Sequence, residues 1–138
     1  MRLRKETTLA VLLLAGPVVS CRSQVVRYDL PVGFTEGWVV AEYGDPSCPA
    51  FVDGIKMATD GYACTSAREV EGSYQLEVYR ILSDGKRVVL PPSLVQRYRS
   101  FIVDHCGVHG HGFWVGRRVP YDDNFHSVLD AHNPRCAR

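Results

Sequence analysis

Gly37-Trp38-Val39-Val40-Ala41-Glu42-Tyr43 is the stretch whose reading decides the fold. It is apolar at both phases of a period-two alternation, which suits a strand central in its sheet and covered on both faces. Behind it, Gly44-Asp45-Pro46-Ser47-Cys48-Pro49 gathers turn formers and stops it. Ahead of it, Val26, Tyr28 and Leu30 share one face of a first strand over residues 25–30, closed by Pro31-Val32-Gly33.

Working outward, residues 51–57 read as a weaker strand with a kink or bulge at Asp53-Gly54. Thr59-Asp60-Gly61 turns the chain into Tyr62-Ala63-Cys64-Thr65-Ser66. In residues 74–81, Tyr74, Leu76 and Val78 alternate with Gln75, Glu77 and Tyr79. Ser83-Asp84-Gly85 then joins this strand to residues 86–90 as a hairpin, ended by Pro91-Pro92. Beyond that point the pattern changes. Ser93 and Gln96 have the form of a capping box, and Leu94, Tyr98, Phe101, Ile102 and His105 recur at helical spacing up to Gly107, so the sequence predicts a helix there. Residues 109–116 read as a loop running into a short strand. Asp122 or Asp123 is placed to cap a short helix bearing Phe125, Val128, Leu129 and His132, stopped at Asn133-Pro134. The expected fold is mainly β (α+β): a small antiparallel β-sandwich or curled sheet with one or two short C-terminal helices.

The N-terminus has the three parts of an export signal. Arg2, Arg4 and Lys5 precede the uncharged run Leu9–Val19, and small Ser20 precedes Cys21. Eleven residues make a helix of roughly 17 Å, short of a bilayer core of about 30 Å. Val18 and Ser20 suit an ordinary signal-peptidase cut. Val18-Val19-Ser20-Cys21 also resembles the lipobox of bacterial lipoproteins, in which the cysteine thiol carries a diacylglyceryl group and the new amino terminus is usually acylated. Five cysteines are an odd number for an exported chain, and lipidating Cys21 leaves four. On that reading residues 1–20 are removed and residues 21–138 form one lipid-anchored domain, with 22–27 as a short tether. Two or three acyl chains anchor firmly where one does not. In lipoproteins of cells with two membranes, Asp after the cysteine retains the protein on the inner one. Arg22 stands there, which implies the periplasmic face of the outer membrane where the cell has one.

The charge balance excludes some partners. Residues 22–85 hold 5 basic and 10 acidic side chains, and 86–138 hold 8 basic and 4 acidic. A near-neutral exported body disfavours nucleic acid. The asymmetry marks either a face for an envelope protein partner or, as the plainer reading, two halves whose charges intermingle when they pack.

Leu30-Pro31-x-Gly33-Phe34-x-Glu36-Gly37-Trp38-Val39-Val40-x-Glu42-Tyr43, Pro46-x-Cys48-Pro49 and Asp60-Gly61-Tyr62-x-Cys64-Thr65-Ser66 together resemble a family of bacterial exported domains with no assigned activity. The likeness covers residues 28–66 well and Phe113-Trp114-Val115-Gly116 loosely. It implies an exported β-rich domain and carries over no catalytic residue. Four cysteines allow three pairings. The family pattern implies Cys48–Cys64, which leaves Cys106–Cys136, each bridge worth roughly 2–4 kcal/mol. Metal ligation by thiolates is the weaker alternative in an oxidising compartment, and the chain has no Cys-x-x-Cys.

Sharper chemistry would rest on the histidines. His105, His109 and His111 fall within seven residues, and on a strand His109 and His111 would share a face able to bind zinc or copper. A third ligand would have to be His126, His132 or a carboxylate. The plainer reading is a glycine-rich surface loop of solvated imidazoles, with His105 and His132 at helix C-termini. Neither a Gly-x-Ser-x-Gly elbow, a His-Glu-x-x-His pair nor a phosphate loop is present. Asp104-His105 would serve an acid–base hydrolase only if a pocket brought them together. The expectation is therefore a non-catalytic envelope lipoprotein, a binding or structural module without a cofactor. The alternative is a zinc or copper protein, or metalloenzyme, centred on the His105–His111 cluster.

Overall fold

The computed structural model describes residues 24–121 and 125–137, together with Gly16. Among these residues, eight strands form two four-stranded sheets. One has the order β3-β1-β5-β6, from β1 (Gln24–Leu30), β3 (Ile55–Lys56), β5 (Tyr74–Ile81) and β6 (Arg87–Val89). The other has the order β4-β2-β8-β7, from β2 (Gly37–Tyr43), β4 (Tyr62–Thr65), β7 (Val95–Val103) and β8 (Val108–Val115). Among the described residues, one helix, α1 (His126–His132), and two short 3-10 turns accompany the sheets. The class is thus mainly β, a sandwich-like α+β fold, as the strand pattern implies. Among the described residues no helix is long and apolar enough to cross a membrane.

Strand direction departs from the antiparallel expectation, and the chain path explains it. From β1 to β5 the chain changes sheet at every strand. Strands sharing a sheet are then separated by a return passage through the other, and they run the same way. Hence β1 pairs in parallel with β3 and β5, and β2 in parallel with β4. Only direct hairpins and the β2–β8 pair are antiparallel. A side-chain period of two records which face is buried, not the direction of the neighbour.

β2 is central, between β4 and β8, and apolar on both faces for two different reasons. Val39, Ala41 and Tyr43 meet Tyr28, Leu30, Val78 and Phe113 between the sheets. Val40 faces outward into a second cluster, where Phe101, Val103, Val108, Phe125, Leu129 and Cys136 seat α1. Disulfides tie both regions: Cys48–Cys64 links the turn after β2 to β4, and Cys106–Cys136 links the β7–β8 turn to the 3-10 turn after α1.

Four local expectations change. The helix expected from Ser93 is a 3-10 turn at Pro92–Leu94 followed by β7, because pairing with β8 outweighs a helical spacing built of aromatic and β-branched residues. A bulge at Gln96/Arg99, with Arg97 at φ 53°, puts Val95 and Tyr98 against the inter-sheet core and Phe101 against the helix layer. Those three-residue steps imitate a helix. The loop expected from His109 is the body of β8, and the strand expected over 51–57 shortens to Ile55–Lys56. The tether expected over 22–27 gives way from Gln24 onward to the strand expected over 25–30, because β1 pairs with β5 from Gln24↔Tyr74. The proposed caps Asp122 and Asp123 lie outside the described residues, as do Cys21 and the signal segment apart from Gly16.

Candidate functional site

β8 has two unlike faces. Phe113 and Val115 point between the sheets, and His109 and His111 continue that face. Gly110 and Gly112 lie on the other. A Cβ at Gly112 would stand 3.2 Å from Phe125 Cγ, so the glycine makes room for the ring beneath α1. A Cβ at Gly110 would run into the Ala41 carbonyl of β2.

His111, only 1% exposed, is ringed by four tyrosines. The Tyr28 hydroxyl lies 2.8 Å from its Nδ1 and 2.9 Å from the Tyr43 hydroxyl. Tyr98 also reaches Nδ1, and Tyr74 O–H donates to the Tyr98 oxygen at 3.1 Å. With two hydroxyls converging on Nδ1, the neutral ring carries its proton on Nε2. That atom stands 2.7 Å from Glu69 Oε1, an ion-pair distance reached off the N–H axis, so the contact is not an aligned hydrogen bond. Burial pushes the imidazole below its ordinary range, outweighing the attraction of the Glu69 carboxylate. Burial likewise raises Tyr28 well above the usual phenol range, raises Tyr98, and pushes Tyr43 up to about 12. The hydroxyls therefore remain donors at neutral pH.

The cluster reaches solvent at one side. Glu69 Oε2 lies 3.3 Å from Nδ1 of half-exposed His109, so one carboxylate touches both histidines of β8. A cleft of ≈ 470 Å³ opens there, bordered by Gly44, Arg68, Glu69, Glu71 and His109.

A second polar network pins α1. Buried Glu42 accepts from the Tyr62 hydroxyl at 2.5 Å and from Asn133 Nδ2 at 2.8 Å. The Tyr62 ring stacks on His132 at 3.8 Å, and His132 Nε2 lies 2.5 Å from Asp60 Oδ2. Burial and the Glu42 carboxylate raise the Tyr62 hydroxyl above the usual range, so it too stays a donor.

The structure brings together His109 and His111 but not His105. His105 lies in the β7–β8 turn, where its Nε2 meets the Cys136 carbonyl at 3.1 Å. With Asp104, His126 and Asp130 it borders a separate cleft of ≈ 660 Å³ on the helix side. Among the described residues no group of three His, Cys, Asp or Glu side chains is placed to hold a metal ion. Sequence reading missed Glu69 and the tyrosine ring. Tyr28 and Tyr74 carried a signal, since each alternates in phase with buried aliphatics. Glu69 carried none, because only the 66–73 connection brings it to β8.

No family model matches the chain, and no curated protein matches it. Among solved structures it is similar to a crystal structure of a candidate lipoprotein from Bacillus anthracis, with a TM-score of 0.61 and 17% identity over 82% of this chain and 95% of that one. At that identity the likeness is one of fold.

Proposed function

We propose that this chain is a lipid-anchored, non-catalytic module of the bacterial cell envelope, held on the membrane by acyl chains on Cys21 and serving as a binding or structural body. The carrying observation is the start of β1 at Gln24, directly behind the lipobox-like Val18-Val19-Ser20-Cys21. Three residues reach at most about 11 Å, so the Gln24/Tyr74 end of the sandwich would sit close to the lipid surface. The fold likeness to a candidate lipoprotein and the two disulfides fit an exported, anchored body. A non-catalytic role fits the burial of His111, whose Nδ1 is engaged by tyrosine hydroxyls that contact one another. Arg22 favours the outer membrane, in cells that have one, with an envelope protein as partner.

Fractionation tests the anchor. Cys21→Ser should release the chain from membranes or leave it as an uncleaved precursor; normal processing with unchanged membrane association would defeat lipidation. A second reading, a zinc or copper site, draws on Glu69 standing between His109 and His111. Stoichiometric metal in the purified processed chain, lost in His109→Ala with His111→Ala, would replace the metal-free reading.

A further inference from the structure

The end of the sandwich opposite Gln24 carries an unusual arginine. Arg80 lies on the inward phase of β5, with Leu76 and Val78, beside Leu30. Its Nη2 donates to the Thr35 carbonyl at 3.2 Å, and its Nε is buried with no acceptor. A buried guanidinium donor without an acceptor is unfavourable unless something else supplies one. Arg80 borders a cleft of ≈ 350 Å³ that Arg117 and Arg118 also line. Among the described residues no carboxylate forms an ion pair with any of the three. The acid in the cleft, Glu36, accepts from the Arg118 backbone N–H at 3.1 Å.

The frame that holds these arginines is fixed. Gly116 N–H donates to the Leu94 carbonyl at 2.9 Å, and Gln96 Nε2 donates to the Gly116 carbonyl at 2.8 Å. Together with the Glu36–Arg118 bond, they pin the turn that bears Arg117 and Arg118. Leu94 and Val115 supply an apolar wall.

We propose that this cleft binds the phosphate group of a small soluble molecule. Three guanidiniums from two parts of the chain suit a tetrahedral dianion, whereas a flat carboxylate is satisfied by a single fork. The apolar wall leaves room for an organic group beyond the phosphate. The cleft stands a strand's length, about 20 Å, from the Gln24 end, beyond the screening length of about 8 Å at physiological salt. If the anchor proposed above holds, the cleft faces away from its own membrane; binding itself does not depend on the anchor.

The test is equilibrium dialysis of the processed full chain, in non-ionic detergent, against inorganic phosphate at about 0.15 M ionic strength. Saturable binding of one phosphate per chain is expected. It should weaken at least about tenfold in Arg117→Gln with Arg118→Gln, both exposed and free to change without unfolding, because charge-assisted hydrogen bonds are lost. Arg80→Gln should weaken it similarly, and Lys86→Gln should leave it unchanged. No saturable binding, or equal binding in the double variant, overturns the proposal. So does capture on phosphatidylglycerol vesicles that the double variant loses while inorganic phosphate fails to bind, since the arginines would then read a lipid surface. Membrane release in Cys21→Ser reports on the anchor alone, so the two failures are distinguishable.

Discussion

His111 gathers hydroxyls from both sheets: Tyr43 from its own neighbour β2, Tyr98 from β7, and Tyr28 and Tyr74 across the core. Tyr28→Phe removes the oxygen that bridges Tyr43 and Nδ1 and leaves buried partners short of a bond. The expected loss is about 1–3 kcal/mol, read as a lower urea midpoint at unchanged slope. The ring also predicts a pH dependence. Its folded pKa is depressed by burial, so the unfolded chain takes up the proton first. The stability supplied by the neutral ring is whole above the unfolded pKa near 6.5 and falls as pH drops through the lower folded pKa. Urea midpoints of the native chain and His111→Gln, measured between neutral and mildly acidic pH, should therefore converge on acidification; a constant gap would sink this account. His109 and His111 could be placed on one face from their spacing, because period two is a property of the strand itself. Glu69 could not, since its contact is made by a connection between distant strands.

At the scale of elements, β7 and β8 show how a local signal misleads. The bulge at Arg97 resets the alternation, so Val95, Tyr98 and Phe101 fall three residues apart without a helix. The glycines of β8 read as loop residues, yet each is where another part of the fold comes close. Gly112→Val would drive a branched side chain into Phe125 and lift α1 from the sheet. Overpacking of this kind costs about 1–3 kcal/mol. Amide exchange should accelerate across residues 126–132 well before it does in β2; protection unchanged in α1 would contradict the proposed seat of Phe125.

For the whole molecule, packing brings some acids of the first half of the sequence against basic or imidazole side chains of the second. Asp29 forms an ion pair with Arg87, Glu69 contacts His109 and His111, and Asp60 contacts His132. Arg80 from the first half and Arg117 and Arg118 from the second border one cleft. The disulfides close loops of unequal span, with sequence separations of 16 and 30. Replacing both cysteines of the first pair by serine should cost about 3 kcal/mol, and of the second about half a kcal/mol more. Thermal unfolding of the two double variants gives that order, and thiol titration of the unfolded native chain should find no reactive cysteine.

The order of residues by itself determined that the chain is mainly β, the inward faces of β1 and β5, and the Asp84-Gly85 hairpin, because these follow from turn chemistry and a two-residue period. The segment ahead of Cys21 has the three-part pattern expected of an export signal. Only the tertiary structure decided that β1, β3 and β5 run parallel, that β7 is a strand, and that one carboxylate meets two histidines. Those features depend on which distant segments are neighbours and on how their side chains fill shared space, and neither is written in any local pattern.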